Sequence, residues 1–368
     1  MSEMLICEKI CGYNMFYLDK DWQKPVITEF SIFNNIRNAG ILFDNYLAFP
    51  WATMIDKGIS NIPNNYLEIL SQYSNINGFT VCQHIHYKWL IPIWKILGIH
   101  TVFICHCQND LLDINISNIT HDIQLLPLNL YPNNVPEFVH TNNDIHSRQY
   151  LLSFIGSYNE QHYLTNIRQK IFAILSNPKY KDVYIKLRPQ WHYESIVYDE
   201  QIMGKKIFDN HMTQDKELEY QQIMINSKFS LCPSGTGPNS IRFWESLAYG
   251  TIPILLSNTV KLPDFIHWHK ICVMYDEKNI SKLYSYITDL CADVNIDIDE
   301  MSKNCLVIYK YIFNKQNMDK IIYIHYHGVI ISDNQDTKYK YPGYIFIQKN
   351  DPDYNRLLNL FNCHVKIL

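Results

Sequence analysis

The 368-residue sequence predicts an α/β protein with two domains, on three observations. Apolar strand-like runs alternate with helical runs in both halves of the chain, which favours parallel sheets covered by helices. The segment 227–257 encodes a strand, a small-residue loop, a helix and a strand in close succession. The chain also exceeds the usual size of one hydrophobic core. We therefore expect two separate α/β layers.

The segment 227–257 predicts an anion-binding site. A buried strand over 229–232 leads into the loop Pro233-Ser234-Gly235-Thr236-Gly237, where the glycines let backbone approach a ligand closely. Pro238 suits the first position of a helix, and Asn239 and Ser240 follow in its opening turn. The helix dipole and free backbone donors there favour a phosphate. Gly250 ends the helix, and a strand over 252–257 implies parallel pairing, with ligands beyond the carboxyl ends of the strands.

Arg242 and Glu245 lie one turn apart on this helix, away from the apolar face formed by Ile241, Trp244, Leu247 and Ala248. Two interpretations of the charged pair are open. In the first interpretation, the two residues form a surface or helix-stabilising ion pair, an interaction that is common and weak. Alternatively it faces a ligand, with Glu245 accepting ribose hydroxyls and Arg242 fixing Glu245 or a phosphate.

The pattern Ser227-Lys-Phe, Pro233-Ser-Gly and Ser240-x-Arg242-Phe-x-Glu245-x-Leu-x-x-Gly250-x-Ile-Pro253-Ile-x-Leu-Ser257 resembles the exostosin family of glycosyltransferases. The resemblance implies a GT-B fold, with two Rossmann-like domains facing across a cleft. It implies an inverting transfer of a hexose or pentose from a nucleotide-sugar donor, usually a UDP-sugar, to a glycan acceptor. It favours the ligand-facing interpretation of Arg242 and Glu245. The second Glu that retaining GT-B enzymes carry eight residues after the first is replaced here by Pro253.

Two further turns are predicted to approach the donor. A strand over 150–156 runs into Gly156 and Ser157, and Arg188 follows a strand over 183–187. A guanidinium at a strand end could neutralise the departing diphosphate, although a solvated loop arginine is the alternative. We expect Arg188 and Arg242 to act in catalysis. The predicted donor-binding set is Gly156, Ser157, Arg188, Ser234, Gly235, Thr236, Gly237, Asn239, Ser240, Arg242 and Glu245.

The first domain is expected to hold the acceptor and the general base, because direct displacement needs a proton acceptor beside the attacking hydroxyl. Asp44 and His84 are the first choices, since each follows a predicted strand. The other candidates are Asp56, His86 and His106. Each has a structural alternative, since such side chains often cap or bond backbone. Trp51 and Trp89 are candidates for stacking on an acceptor sugar, with core packing as the alternative.

No metal or other cofactor is expected, because the donor loop carries no Asp-x-Asp motif. A zinc site is a competing interpretation of Cys82, His84 and His86 with Cys105 and Cys107, whose ligand types suit zinc. Their spacing matches no Cys-x2-Cys pattern, which argues against it. The ten cysteines are irregularly spaced in a chain that is expected to be cytoplasmic, so reduced thiols are expected.

Net charge −4 and 47% hydrophobic residues predict a globular chain without a general basic surface for nucleic acid. The first twenty residues carry charges at Glu3, Glu8 and Lys9 and no long apolar run, so no signal or membrane span is expected there. We therefore expect a cytoplasmic protein, in a bacterial or viral context. The partners expected are the nucleotide sugar and the glycan.

The chain is predicted to have three parts, and a polar stretch over 129–148 is predicted as the linker between the first two. Residues 1–140 form the acceptor-side Rossmann-like domain and 141–330 the nucleotide-sugar domain. Residues 331–368 are a C-terminal extension that we expect to pack back on the first domain. A noncatalytic GT-B scaffold that binds a nucleotide sugar is the alternative function. An epimerase or a kinase is disfavoured, because early Gly-x-Gly-x-x-Gly and Gly-x-x-x-x-Gly-Lys motifs are absent. The sugar, the acceptor and the oligomeric state stay open.

Overall fold

The computed structural model groups the chain into two compact units. Unit 1 comprises Met1–Tyr131, Ile196–Lys206 and Thr259–Pro263, and unit 2 comprises Pro132–Ser195, Ile207–Asn258 and Asp264–Leu368. The structure describes residues 6–10, 13–17, 22–23, 26–39, 45–58, 78–109, 123–137, 144–188, 203–204, 210–335, 337 and 343–368. The predicted roles of 1–140, 141–330 and 331–368 stay predictions.

Unit 1 contains a four-stranded parallel sheet in the order β3-β4-β5-β6. Its elements are an antiparallel hairpin of β1 (Ile6–Ile10) and β2 (Tyr13–Tyr17), then α1 (Thr28–Ala39), β3 (Tyr46–Leu47), α2 (Trp51–Asp56), β4 (Gly78–Cys82), α3 (Ile91–Ile96), β5 (Ile99–Ile104) and β6 (Gln124–Pro127). The sequence pattern predicts a single helix over 87–97 that ends at Gly98. The segment instead opens as a 3-10 turn, Tyr87–Leu90, because Pro92 restarts the helix in the first turn of α3. Gly98 ends it at φ +72°, as predicted.

Unit 2 is built on a five-stranded parallel sheet in the order β11-β10-β9-β7-β8. Its elements are β7 (Tyr150–Gly156), α4 (Ile167–Leu175), β8 (Val183–Leu187), α5 (Asn210–Ile225), β9 (Ser227–Pro233), α6 (Ile241–Ala248), β10 (Ile252–Leu256) and β11 (Val273–Met274). Since all neighbours are parallel, the carboxyl ends of β7, β8, β9 and β10 meet at one edge. The α/β prediction with parallel sheets, as GT-B proteins have, is confirmed in both units.

The remainder of unit 2 adds helices and a second, smaller sheet. It comprises α7 (Leu283–Ala292), α8 (Ile298–Ile308) with a π-helical turn at Tyr309–Phe313, α9 (Lys320–His327), β12 (Val329–Ser332), β13 (Ile345–Phe346), α10 (Tyr354–Leu360) and β14 (Val365–Ile367). The small sheet is parallel, in the order β13-β12-β14. Among the described residues, no helix has the length and apolar character needed to cross a membrane.

Two sequence predictions need correction. The helix expected to start at Pro238 begins at Ile241, because Ser240 is extended (φ −118°, ψ 125°) and the Asn239 side chain accepts a hydrogen bond from Trp244 Nε1 at 2.9 Å. The polar stretch 129–148 is also more than a linker, since Val135 and Ile145 are buried in apolar clusters. The sequence pattern also predicts a strand over 40–43 and a short helix over 64–73, and both lie outside the described residues.

Candidate functional site

Two arginine side chains converge on Gly156, the last residue of β7. A Cβ built at Gly156 would lie 3.4 Å from Arg168 Nη1, 3.4 Å from Arg242 Nη2 and 3.0 Å from Phe154 Cζ. Glycine therefore leaves the space in which two guanidinium groups reach the same stretch of backbone. The sheet edge that the sequence predicts as a ligand site thus carries two positive charges side by side.

Arg168 links the loop after β7 to the loop after β9. Its Nε donates to Ser234 O at 2.9 Å, and its Nη1 donates to Ser157 O at 3.1 Å. The guanidinium also lies over the Tyr163 ring, 4.5 Å from its centroid. A Cβ at Gly235 would meet Arg168 Nη2 at 3.1 Å, so this second glycine also makes room for the arginine.

The guanidinium of Arg242 packs on the ring of Phe154. Its Cζ lies 4.4 Å from the centroid of Phe154, and Nη2 donates to Ile155 O. Its side chain is buried, and within the described part of the chain its Nε has no hydrogen-bond partner. An unpaired donor on a buried cation is costly, which points to a partner supplied by a ligand.

The charges of Arg168 and Arg242 have few counter-charges among the described residues, although Glu245, one turn along α6, interacts electrostatically with Arg242. Among the described residues, neither side chain has a carboxylate within ion-pair distance, and both donate to backbone carbonyls instead. Burial, reinforced by the nearby Arg242, lowers the pKa of Arg168 to about 10, so it stays protonated at neutral pH. A buried Arg242 and a half-buried Arg168 with rigid donors suit a ligand with at least one phosphate.

Arg188 lies at the same edge with a different partner. Its backbone N–H donates to Gly156 O at 2.8 Å, while Nη2 donates to Lys216 O at 2.7 Å and lies 3.7 Å from Glu219 Oε2. Burial lowers the pKa of Arg188, with Glu219 opposing the shift. Its charge thus has a carboxylate at ion-pair distance, whereas in the described ranges Arg168 and Arg242 have none that close.

Arg168 and Arg242 form the arginine cluster, and the predicted donor loop folds around it. The Ser157 and Tyr163 hydroxyls are 2.7 Å apart, the Ser234 and Thr165 hydroxyls are 3.1 Å apart, and Gly235 N–H donates to Gly237 O at 2.9 Å. Thr236 lies in the same loop and is half-buried. Asn239 and Ser240 instead lead into α6. The structure thus brings Gly156, Ser157, Ser234, Gly235, Gly237 and Arg242 together, although their contact with a donor stays a prediction.

Glu245 is turned towards the protein interior. It is 1% exposed, Oε1 accepts from the N–H and Nδ2 of Asn134 at 2.8 and 2.9 Å, and Oε2 accepts from Tyr220 Oη at 2.7 Å. Burial raises the pKa of Glu245, and the Asn134 backbone bond opposes the shift. Its proposed contact with a ribose stays a prediction, but both carboxylate oxygens already have donors.

In unit 1, His84 and Asp56 form a pair at the carboxyl end of β4. His84 Nε2 lies 3.0 Å from Asp56 Oδ1, and His84 Nδ1 accepts from the His86 backbone N–H at 3.0 Å. Since a backbone N–H can only donate, the hydrogen of a neutral His84 lies on Nε2 and points at Asp56. Both ring nitrogens are therefore engaged. Asp44, the other predicted base, lies outside the described residues.

The other aromatic candidates divide into exposed and buried groups. His86 stacks on Trp89 with centroids 4.4 Å apart and planes at 8°, and Trp89 is 57% exposed. His106 is buried, and burial lowers its pKa to about 3, so it stays neutral. Trp51 is fully buried and donates to Thr80 Oγ1 at 2.7 Å, which places it in the core.

The cysteines predicted as competing zinc ligands are poor ones. Cys82 and Cys105 are fully buried, and burial raises the pKa of each thiol well above 9.0. Zinc binds the thiolate form, which this environment disfavours. Across the described ranges, no cluster of three or more His, Cys, Asp or Glu side chains is arranged to hold a metal ion.

Sequence reasoning overlooked Arg168, although a signal exists. Arg168 and Arg242 each occupy the second position of their helix, after an isoleucine. A cation there opposes the helix dipole, which favours anions near helix starts. Two helices that begin with the same unfavourable Ile-Arg pair are better explained by a ligand than by helix stability.

An α/β unit that places two neighbouring arginines at the carboxyl edge of its parallel sheet, with no carboxylate at ion-pair distance in the part of the chain that is described, is equipped to bind an anionic ligand there. Residues 115–290 match the model of the exostosin GT47 domain. This match confirms the predicted resemblance to the exostosin family over that part of the chain.

Curated relatives agree with this assignment over part of the chain. A probable glucuronosyltransferase of Oryza sativa subsp. japonica is 34% identical over 97 residues, 26% of this chain and 23% of that protein. Exostosin-1c of Danio rerio is 40% identical over 81 residues, 21% of this chain and 11% of that protein. A probable beta-1,4-xylosyltransferase of Arabidopsis thaliana is 31% identical over 97 residues, 26% and 23% of the two chains. The matched stretch thus spans less than a quarter of each of these three relatives.

The similarity to solved structures is weaker. The pneumococcal O-GlcNAc transferase GtfA, solved with UDP and GlcNAc, aligns with a TM-score of 0.38 and 11% identity over 69% of this chain and 53% of that chain. The fold class therefore rests on the parallel sheets themselves.

Proposed function

We propose that this protein is a glycosyltransferase whose unit 2 binds the diphosphate of a nucleotide sugar between Arg168 and Arg242. The observation that supports it best is the meeting of both guanidinium groups at Gly156 without a carboxylate partner among the described residues. Names of the relatives as glucuronosyl- and xylosyltransferases support the reaction class. They do not fix the sugar that this chain transfers.

The proposed chemistry is a single displacement with inversion at the anomeric carbon. The acceptor hydroxyl gives its proton to a general base as its oxygen bonds to this carbon. The carbon–oxygen bond to the diphosphate breaks, and the electron pair leaves on the diphosphate. Negative charge on the leaving group grows in the transition state, so fixed cations lower the barrier more than they tighten ground-state binding. Arg168 and Arg242 are fixed by backbone carbonyls and aromatic rings, which limits reorganisation during the step.

The finer features of this proposal are a UDP-sugar donor, a glycan acceptor, independence of metal and a cytoplasmic location. The Glu245 contact with the donor ribose is not included, because Asn134 and Tyr220 occupy its oxygens. Arg188 is assigned a secondary role in charge neutralisation, because Glu219 shares its charge.

Calorimetric titration of UDP and of uridine into the wild type, Arg168→Gln and Arg242→Gln tests the proposal. Each substitution removes a charge-assisted hydrogen bond, so we expect the UDP dissociation constant to rise by about 10- to 100-fold. Uridine lacks the phosphates, so its weak binding is expected to stay unchanged.

Arg356→Gln is the matched control, since Arg356 is paired with Glu300 on α8 and lies outside the arginine cluster. It is expected to bind UDP as the wild type does. Wild-type affinity in both Arg168→Gln and Arg242→Gln, or failure of the wild type to bind UDP, GDP and ADP alike, would overturn the proposed diphosphate site.

A further inference from the structure

Glu277 lies at the carboxyl edge of the five-stranded sheet of unit 2, shortly after the end of β11. Its side chain is half-buried, and Oε2 accepts a hydrogen bond from Thr165 Oγ1 at 3.1 Å. Among the described residues, no donor reaches Oε1, and Lys170 and Lys278 act on the carboxyl only from beyond ion-pair distance. One oxygen of this carboxylate is therefore open to a donor from a ligand.

Three hydrogen bonds connect Glu277 to the arginine cluster. Ser234 O accepts from Arg168 Nε at 2.9 Å, and the Ser234 and Thr165 hydroxyls are 3.1 Å apart. Because a carboxylate can only accept, the Thr165 hydroxyl donates to Glu277, and the Ser234 hydroxyl then donates to Thr165. The carboxylate is thus tied to the same loop that carries the proposed diphosphate site.

The backbone of Glu277 is held as well. Its N–H donates to Asn258 Oδ1 at 3.3 Å, and Asn258 Nδ2 donates to Asp276 Oδ1 at 2.8 Å. These bonds join the loop after β10 to the loop after β11. A carboxylate that is fixed through its backbone and through one oxygen loses little further freedom when the other oxygen binds a ligand.

A second polar group at this edge lacks a partner. Ser257, the first residue after β10, is 8% exposed, and its hydroxyl has no hydrogen-bond partner in the described part of the chain. The Ser234 N–H donates to Leu256 O at 3.2 Å, so the donor loop runs beside the end of β10. Unsatisfied polar groups near a proposed site are costly in the free protein and point to a polar ligand.

Hydroxyl groups of a sugar match this carboxylate better than a further phosphate does. A carboxylate oxygen accepts from up to two O–H groups but repels an anion. Burial raises the pKa of Glu277, and the bond from Thr165 opposes the shift, so each added donor favours the ionised form. A nucleotide sugar carries neighbouring hydroxyls on both sides of its diphosphate, on the ribose and on the sugar to be transferred.

We propose that Glu277 binds neighbouring hydroxyls of a sugar ring of the donor, with Thr165 and Asn258 as positioning residues. This inference rests on the proposed function. The diphosphate lies on Arg168 and Arg242, and a ring attached to it reaches past Ser234 to the open oxygen of Glu277. The ribose and the transferred sugar share this hydroxyl chemistry, and binding measurements with partial ligands separate them.

Calorimetric titration of Glu277→Gln with UDP, 2′,3′-dideoxy-UDP, UDP-glucose and inorganic pyrophosphate is the test. If the ribose is bound, the dissociation constant of UDP is expected to rise by about 10-fold, and the dideoxy analogue binds the wild type and the variant alike. If the transferred sugar is bound, the rise is confined to UDP-glucose. Pyrophosphate affinity is expected to stay equal or to increase, because a negative charge is removed, and this also shows that the variant is folded.

Asp276→Asn is the matched control, since it removes the same charge one residue earlier on an exposed side chain. It is expected to bind all these ligands as the wild type does. Thr165→Val removes the hydroxyl that orients Glu277, so the variant is expected to lose part of the same discrimination between ligands with and without the hydroxyls. Thr165→Ser is expected to restore it, whereas a merely structural role of Thr165 would change pyrophosphate binding too.

The outcomes distinguish this inference from the proposed function. If the wild type binds UDP and the arginine variants weaken that binding, while Glu277→Gln binds UDP and UDP-glucose as the wild type does or more tightly, the inference fails and the diphosphate site stands. Equal weakening by Asp276→Asn would also overturn it, since charge alone would then be responsible. If the wild type binds none of UDP, GDP and ADP, the proposed function itself fails.

Discussion

At the residue scale, Glu29 shows how a buried carboxyl can organise a sheet edge. It is 2% exposed, and its carboxylate accepts from the N–H groups of Gln83 at 3.0 Å and Ala52 at 3.2 Å. It thus ties the end of β4 to the start of α2. Burial, the dominant effect, raises the pKa of Glu29 to about 8.

This shift predicts a loss of stability at alkaline pH. The folded pKa lies above the ordinary 4.5, so the contribution of Glu29 is complete below pH 4.5 and is lost as pH rises towards 8. His106 produces an opposite slope between about 3 and 6.5, and Lys320, whose pKa burial lowers to about 8, produces one as pH approaches 8. Both are common to the wild type and Glu29→Gln, so they cancel in the difference between the two proteins over pH 6.5–8. Across this range we expect the free energy of unfolding of the wild type to fall by about 2 kcal/mol relative to Glu29→Gln.

Urea titrations followed by tryptophan fluorescence at pH 6.5, 7.2 and 8 measure this difference. Gln imitates the protonated carboxyl in size and polarity, so its variant should lack the slope. Glu300→Gln on α8, a half-exposed carboxyl paired with Arg356, serves as the control and should follow the wild type. Parallel pH dependence of the wild type and Glu29→Gln would show that Glu29 is already ionised in the folded protein at pH 6.5.

At the element scale, α6 contacts the segment 132–135 through Glu245 and also carries Arg242. Glu245 accepts two hydrogen bonds from Asn134, Tyr249 Oη donates to Asn134 O at 2.6 Å, and Lys315 Nζ donates to Val135 O at 2.6 Å. The polar face of α6, opposite its apolar face, is therefore also buried. The helix is amphipathic in sequence but buried on both sides.

Glu245→Ala is therefore expected to affect folding more than donor recognition. Removal of the carboxylate leaves buried donors on Asn134 and Tyr220 unsatisfied, which costs about 2–4 kcal/mol of unfolding free energy. Glu245→Gln keeps one carbonyl oxygen for Asn134 and can donate to Tyr220, so a loss of about 1 kcal/mol or less is expected. Thermal unfolding combined with UDP calorimetry checks both variants.

The control for this pair is Tyr220→Phe, which removes one hydrogen bond to Glu245 and leaves those from Asn134. It is expected to fall between Gln and Ala in stability. A stable Glu245→Gln protein that has lost UDP affinity would restore the ribose contact as the role of Glu245.

Sequence patterns predicted the elements with strong periodicity. The strands at 150–156 and 183–187 and the helix after 240 are present with bounds close to those predicted. The small sheet of β12, β13 and β14 was not predicted, because strands of two to four residues are too short to show alternation. The helix start at Ile241 was missed, because a proline can equally precede a helix or open one.

The candidate sites were predicted less completely than the elements, for a physical reason. The loop glycines and Arg242 belong to one contiguous motif, so their spacing indicates a common site. Arg168 reaches that site from a helix more than sixty residues earlier, and only the pairing of β7 with β9 brings the two segments together. The hydrogen bonds that occupy the side chains of His84 and Glu245 likewise come from partners distant in sequence, Asp56 and Asn134.

At the scale of the whole molecule, the two units have separate parallel sheets and separate apolar clusters. Unit 2 contains two sheets, one of five strands and one of three. In the described residues, the arginine cluster lies at the edge of the five-stranded sheet. A ligand that binds one edge stabilises first the segments that form that edge, because local opening of those segments must release it.

Hydrogen exchange on the whole chain therefore tests where a nucleotide acts. At a UDP concentration of about 100 times the dissociation constant, exchange of amides that open only with loss of the ligand should slow by up to about 100-fold. We expect this effect in peptides covering 156–168 and 233–242, and little change in peptides covering the small sheet at 329–332 and 365–367. Arg168→Gln with the same UDP concentration should show much weaker protection. Protection confined to the small sheet, or equal in the wild type and Arg168→Gln, would place the nucleotide away from the arginine cluster.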